Sequence, residues 1–281
     1  MILRTRIRGE IFEIDLPGIT DEQYGAVNTQ MRRAFRRQEL KNRDVICEAF
    51  LWLLQTCPGA NASDLWHHVV YRLYCQLLPR YRPQDPNQSW VRASGDALEL
   101  SVERLYAPVL APERVRIQAL IGRAAKRSVL EEMNLGEEVG DSKLDVALRL
   151  ETGRDHWQIF GGVHVKASLA ERVSDDVPAS RSMMRRGLFS PLWTLDVKSF
   201  PPPHGDLINR GELGTTQEPT VKRRYVEDHG EFDNCYSANG RTSPSVGNTR
   251  SRKRIQRLDL TRQPDSFAEE VITRARRWRR Q

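Results

Sequence analysis

The sequence predicts a mixed α/β fold of the α+β kind: a central mixed sheet flanked by helices, with a helical subdomain at the N-terminus. Three observations predict it. Apolar residues recur at helical spacing before residue 80 and again between 94 and 135. Apolar and polar residues then alternate over 143–150 and 157–166, and an apolar run follows over 188–197. A basic amphipathic helix closes the chain over 266–278. With 281 residues the chain has room for one large or two smaller domains. The expected division is 1–80, N-terminal strands and the helical subdomain, and 81–281, a core carrying the site and the basic C-terminal helix.

Taken in order, residues 2–7 and 10–16 read as strands before Pro17-Gly18. Thr20 is an N-cap for a helix over 20–40. Residues 44–55 form a strongly apolar helix that Cys57-Pro58-Gly59 ends. Ser63 caps a third helix, with Leu65, Val69, Leu73 and Leu77 on one face. Residues 79–86 are a polar, proline-bearing connection, after which Ser94 caps a helix over 95–106. A strand over 114–120 and a helix over 122–135 follow. In 143–150 the leucines and valine, Leu144 to Leu150, face one way and Asp145, Ala147 and Arg149 the other. In 157–166, His164 and Lys166 share a face. Residues 201–250 read as long irregular loop.

Composition narrows the function classes. No run of eighteen apolar residues exists, so no transmembrane helix is expected, and residues 1–4 lack an apolar signal-peptide core. Cysteines at 47, 57, 75 and 235 have neither disulfide-framework nor zinc-site spacing, which fits a reducing, cytoplasmic setting. Formal net charge is +7. The stretch 250–281 accounts for all of it, and most of the chain's basic residues are arginine. Arginine makes bidentate contacts to phosphate and guanine, so a polyanionic partner suits this charge, as would mere compositional bias.

The chemistry-bearing arrangement is Asp145 on one strand and Lys166 at the end of the next. Paired as a hairpin, these strands bring both side chains to one sheet face. A carboxylate holds a hard cation such as Mg²⁺ through oxygen, and the cation polarises a phosphodiester and acidifies bound water. A lysine beside it positions that water and offsets charge on phosphorus. A second carboxylate is needed. His164 stands two residues before Lys166, where one is usual, which leaves Glu99 on the 95–106 helix, with Asp175 and Asp176 as further candidates. Spacing alone leaves the bland alternative open: Lys166 as a solvated strand end and Asp145 as a surface charge near a turn. His204, Asn209 and His229 have the wrong spacing for a ββα-metal nuclease. Adjacent His67 and His68 on a helix do not converge on one ion.

The segment Gly161-Gly162-Val163-His164-Val165-Lys166-Ala167-Ser168-Leu169-Ala170-Glu171-Arg172-Val173-Ser174-Asp175-Asp176 resembles the active-site and recognition segment of CCGG-specific type II restriction endonucleases, members of the PD-(D/E)xK superfamily. Asn61-Ala62-Ser63-Asp64-Leu65-Trp66-His67-His68, Ser89-Trp90-Val91-Arg92-Ala93-Ser94-Gly95 and the stretch from Leu195 through Lys198 to Asp206 share the likeness, which fades after residue 250. The resemblance implies a PD-(D/E)xK restriction-endonuclease-like core with Asp145 as metal-binding aspartate, Lys166 as catalytic lysine and Glu99 as the helix-borne acid and second metal ligand. It departs from the superfamily pattern at Leu144, where proline is expected, and at His164, where an acid is expected. Pro178 stands near where related enzymes place a second acid, with Asp176 close by.

Related enzymes read the CCGG core with an Arg-(Asp/Glu)-Arg element. Here Ala170-Glu171-Arg172 keeps the last two members, and a helix starting at Ser168 would aim them into a major groove. Arg172 can donate twice to guanine and Glu171 can accept from cytosine N4. The same stretch also fits a capping box, which would make Glu171 structural. Arg92 and Lys198 are replacements for the missing arginine. The implied activity is Mg²⁺-dependent hydrolysis of double-stranded DNA at a palindrome with a CCGG core, with ACCGGT as candidate full site. It would leave 5′-phosphate and 3′-hydroxyl ends. The implied partners are a second copy of the chain on DNA and a cognate DNA methyltransferase in the host, with no membrane. A non-catalytic, sequence-specific DNA-binding protein on the same fold is the alternative, and a nuclease for branched or damaged DNA a third reading.

Overall fold

The computed structural model describes residues 1–281 apart from residues 8, 137, 141–143, 171 and 281. Strands β1 (Ile2–Ile7) and β2 (Glu10–Asp15) form an antiparallel hairpin. The Met1 ammonium donates to the Leu16 and Ile19 carbonyls at 3.0 and 2.8 Å, tying the chain start to the end of this hairpin. Helix α1 (Asp21–Arg36) has the Thr20 cap, built as a capping box: the Gln23 N–H donates to the Thr20 hydroxyl while the Gln23 side chain accepts from the Thr20 N–H.

Helix α2 (Asn42–Thr56) buries Val45, Ile46, Cys47, Ala49, Phe50 and Leu53, as its largely apolar stretch from Val45 to Leu54, broken only by Glu48, requires. The next helix is capped by Asn61 and not by Ser63, whose N–H donates to the Asn61 side chain at 3.3 Å. It runs as α3 (Ala62–Asp64), a π-helical turn (Leu65–Val70) and α4 (Tyr71–Tyr81).

The largest departure from the sequence reading is helix α5 (Pro86–Leu110), which runs 25 residues and passes straight through Ser94. Its N-cap is Asp85, whose carboxylate accepts from the Gln88 N–H at 2.7 Å. Pro86 at the first helical position has a φ already suited to a helix and no N–H to leave unpaired. Asp85-Pro86 is therefore a helix start, though prolines suggest a connection. The correction matters because Glu99 sits near the middle of a long, anchored rod and not near a frayed end.

Strand β3 (Val115–Ala119) leads through helix α6 (Arg123–Glu132) to the hairpin of β4 (Val146–Gly153) and β5 (His156–Lys166). Then come α7 (Arg172–Arg185), β6 (Leu192–Thr194), α8 (Val221–Glu227), β7 (Cys235–Ser237), β8 (Ile255–Arg257) and α9 (Ser266–Trp278). The strands form one six-stranded mixed sheet in the order β3-β4-β5-β6-β7-β8. Pairing is antiparallel as far as β5 and parallel from there on. The expected third strand shrinks to three ladder residues plus a bridge from Phe189 to Gly161. Residues 201–250 are not wholly irregular, since they hold α8 and β7. Both are too short for periodicity to mark.

Strand β5 carries Gly161-Gly162 at its centre for a steric reason. A Cβ on Gly161 would lie 2.5 Å from the Phe189 carbonyl oxygen, and one on Gly162 would lie 2.4 Å from Leu144 Cδ1. Leu144 thus packs over Gly162, in a cluster with Ala147, Val129 and Met183, while Val146, Leu148 and Leu150 face the main core. The expected alternation holds only from Val146 onward. The main core joins the N-terminal helices to the sheet: Phe50, Trp66, Leu98, Phe160 and Trp193 belong to one buried cluster. Among the described residues no helix is long and apolar enough to cross a membrane.

A polar chain crosses this core. The Tyr106 hydroxyl on α5 donates to Asp265 at 2.7 Å, and the Trp193 indole N–H on β6 donates to Tyr106 at 3.2 Å. Asp265 also caps α9, accepting from the Phe267 and Ala268 N–H groups. We expect Tyr106→Phe to leave Trp193 without its acceptor and to cost about 1–3 kcal/mol. Urea unfolding checks this: the midpoint should fall with an unchanged m-value, and an unshifted midpoint would show that the chain of bonds adds no net stability.

Candidate active site

Five elements converge on one buried carboxylate. Asp145 immediately precedes β4, and its backbone carbonyl accepts from the Leu120 N–H at 2.9 Å. Its Oδ2 accepts from the Val165 backbone N–H at 2.8 Å and from Lys166 Nζ at 2.7 Å. Its Oδ1 accepts from Lys126 Nζ at 3.0 Å. Because β4 and β5 are antiparallel neighbours, the start of one lies beside the end of the other, and that register brings residues 145 and 166 together. Lys126 on α6 also reaches Glu99 Oε1 on α5, at 3.1 Å. Lys166 in turn lies 2.8 Å from Asp176 Oδ2 on α7.

Burial makes these charges interdependent. Asp145, Glu99 and Asp176 are 4, 6 and 3% exposed. Burial alone would raise the Asp145 pKa, but the Lys166 and Lys126 ammoniums and the Val165 N–H outweigh it and hold the carboxylate well below the usual range. Lys166 shows the mirror image: burial disfavours its charge, yet Asp145 and Asp176 keep its pKa above the ordinary lysine value. Lys126 is likewise raised, with Asp145 and Glu99 prevailing over burial. Glu99 moves the other way. Burial, and then the neighbouring Asp145 charge, push its carboxyl up against the opposing pull of Lys126.

His164 stands on β5 where an acid was expected, and it turns out to support one. Its ring is fully buried, with Nε2 3.1 Å from the Ser190 hydroxyl and Nδ1 3.7 Å from Asp176 Oδ2. The acid that the strand lacks is supplied by the helix that packs over it. The sequence offers Asp176 only as one candidate among several, because Pro178 occupies the expected spacing and nothing in a linear pattern shows how far α7 leans toward β5. Lys126 was missed altogether. Its only signal was being one of few lysines in an arginine-rich chain, on a predicted helix after the 114–120 strand.

A hard divalent cation suits the Glu99–Asp145 pair. Both are oxygen donors, both converge on one positive charge, and Glu99 Oε2 is buried with no hydrogen-bond partner. Glu99 and Asp145 would contribute two carboxyls to such an ion. That is the usual manner of Mg²⁺, which keeps several waters and takes phosphate oxygens from the substrate.

The residues considered for base reading fall in three places. Glu171 lies outside the described residues. Arg172 is the first described residue of α7, and Ser168 lies outside the helix, its hydroxyl donating to Glu212 at 3.0 Å. Arg92 is exposed on α5, two turns before Glu99, and lines a basic cleft of about 640 Å³ with Lys41, Arg43 and Arg82. Lys198 follows β6, with its ammonium 5.3 Å from the Phe200 ring centre and 3.8 Å from Glu212. Its backbone N–H donates to Asn209, whose amide donates to Ser63 and Asp64 at the head of the π-turn helix.

Comparison with known proteins gives this geometry a context. The family model described as BsaWI restriction endonuclease type 2 matches residues 123–264, a span containing Lys126, Asp145, Lys166 and Asp176. Type II restriction enzyme AgeI of Thalassovita gelatinovora is 45% identical over 270 residues, covering 94% of this chain and 96% of that protein. The crystal structure of the specific AgeI–DNA complex superimposes with a TM-score of 0.91 at 44% identity, over 98% of this chain and 99% of that one. The pre-specific BsaWI–DNA complex overlaps more loosely, with a TM-score of 0.46 at 14% identity over 91% and 93% of the two chains. A family match over half the chain and a close relative along nearly all of it lead to one conclusion: this chain belongs to the type II restriction endonucleases of the BsaWI family.

Proposed function

We propose that this enzyme hydrolyses both strands of duplex DNA at a palindromic site with a CCGG core, leaving 5′-phosphate and 3′-hydroxyl ends, with Mg²⁺ as cofactor. ACCGGT is the first full site to test, by likeness to AgeI. The observation that carries the reading is the Asp145 carboxylate held at 2.7 Å from Lys166, with Glu99 on the far side of a shared cation.

In this reading Asp145 and Glu99 hold the metal. When bound, the ion supplies electrophilic stabilisation of the scissile phosphate and a water acidic enough to attack at neutral pH. The Val165 N–H fixes the orientation of Asp145 by binding Oδ2. Lys166 stays an ammonium, because its pKa is raised, so it acts through charge and donated hydrogen bonds and not as a general base. Asp176 anchors that ammonium from α7, with His164 behind it. Arg172, with its sequence neighbour Glu171, reads guanine and cytosine edges in the major groove, with Arg92 and Lys198 as supporting contacts. A two-fold symmetric site calls for a homodimer on DNA, each subunit cutting one strand. A host methyltransferase would protect the same sites.

Three outcomes are expected. Plasmid digestion with purified protein and Mg²⁺, followed by sequencing of the ends, should give one defined cut within a CCGG-containing palindrome. Random ends would defeat the proposed specificity, and an absence of new ends with DNA still bound would favour a non-catalytic binding protein. Asp145→Asn and Lys166→Ala should each lower cleavage by about 10²–10³-fold or more with duplex binding retained. Arg172→Ala should lose about 1–3 kcal/mol of discrimination at one base pair, read as cleavage of singly substituted sites. An unchanged site preference would place recognition elsewhere.

The raised Glu99 pKa gives a stability test with a definite sign. A carboxyl whose folded value exceeds its unfolded one leaves stability full below the ordinary glutamate range and lowers it as pH rises toward the raised value. In EDTA, the Tm of Glu99→Gln relative to the parent should therefore rise between about pH 5 and 8. A difference flat in pH would mean that Glu99 titrates as an ordinary surface acid.

A further inference from the structure

Lys126 occupies the place that the proposed metal needs. Its Nζ lies 3.1 Å from Glu99 Oε1 and 3.0 Å from Asp145 Oδ1, bridging the two carboxyls assigned to the ion. A divalent cation sits about 2.0–2.1 Å from such oxygens. It could not do so with an ammonium between them, for want of space and because two like charges at that separation repel strongly in a partly buried site. Lys126 is also unlike Lys166. Lys166 is braced by Asp145 and Asp176 from the strand and α7, whereas both partners of Lys126 are the proposed ligands themselves.

The helix that carries Lys126 points to what would draw it away. The first turns of α6 contain Arg123, Lys126 and Arg127 and no acidic residue, and Arg123 and Arg127 are exposed. Positive charge at a helix N-terminus is opposed by the helix dipole, so this end gains from an incoming anion. Residues 123, 126 and 127 lie on one helical face. The Lys126 side chain is 12% exposed, so its flexible stem has a path outward along that face.

We propose that Lys126 is a resident counter-ion that keeps the Glu99–Asp145 pair closed to divalent metal in the free protein and yields it when the phosphate backbone of a duplex arrives at the start of α6. The proposal rests on the reading of Asp145 and Glu99 as metal ligands. It makes Lys126 a residue that times metal entry, separate from Lys166, which remains beside the reacting phosphate.

The test measures Mn²⁺ binding to the DNA-free protein by the loss of the free-ion EPR signal. The parent is compared with Lys126→Met, Lys126→Gln and Lys126→Met combined with Asp145→Asn. Thermal unfolding of each variant confirms that it is folded, and the glutamine variant keeps a neutral hydrogen-bond donor between the carboxyls in case methionine is not tolerated. Removal of the ammonium should tighten Mn²⁺ binding at least about tenfold, and Asp145→Asn should abolish that gain. Equal affinity in parent and variants would overturn the counter-ion role and leave the metal reading intact. Failure of either folded single variant to bind Mn²⁺ would also overturn it, because Lys126 would then not be what keeps the ion out. The metal reading itself fails separately, if digestion proceeds without any divalent ion.

Discussion

The structure depends on a single buried anion. Asp145 is almost wholly removed from water, and a carboxylate in that position is tolerable only if its lone pairs are taken up. Here they are, by one backbone N–H and two ammoniums that come from a helix and a strand. Breaking such a pair from one side costs about 3–5 kcal/mol, far more than an exposed ion pair contributes. The constraint works outward from there. The antiparallel register of β4 and β5, the Gly161-Gly162 gap that lets Leu144 lie flat before Asp145, and the long reach of α5 all serve to place groups around this one oxygen pair. Each ammonium is shared with a second acid, so Glu99, Lys126, Asp145, Lys166 and Asp176 form a chain in which every charge is borne by its neighbours.

Such a chain separates two tasks that a simpler site would merge. Lys166 has its pKa raised from both sides and is locked as a cation, which suits a group that orients water and faces a pentacovalent phosphorus. Glu99 is the member least comfortable as an anion, because burial and Asp145 both push its carboxyl toward the protonated form. The site in the free protein is therefore a relaxed, self-neutralised arrangement and not a vacant negative trap.

Much of this was legible in the sequence, for reasons that can be named. Strand alternation placed Asp145 and Lys166 on neighbouring segments, because a two-residue period survives in sequence wherever one face is buried. The N-cap at Thr20 and the amphipathic α9 were equally plain. Failures arose where local signals compete. Ser94 and Ser63 look like caps but lie inside helices begun by Asp85 and Asn61, and the Ser63 hydroxyl is taken up instead by the Asn209 amide. Three-residue strands such as β7 carry too few positions to show a period. Lys126 was invisible because nothing local distinguishes a lysine that turns inward to two acids from one that turns to solvent. Asp176 was visible only as an option, since the approach of α7 to β5 is a tertiary matter.

The replacement of a strand acid by His164 has one more consequence. By placing the acidic partner of Lys166 on α7 and not on the sheet, the fold sets it one helical turn beyond Arg172, the first described residue of that helix. If the start of α7 meets a base pair, as proposed, that helix end responds to what lies in the groove. Whatever strains or settles the first turn of α7 is transmitted through a single turn of backbone to the carboxylate that steadies the lysine. On the proposed reading, discrimination among sequences and readiness to cut would share the same short lever, and a poorly fitting duplex would disturb both at once.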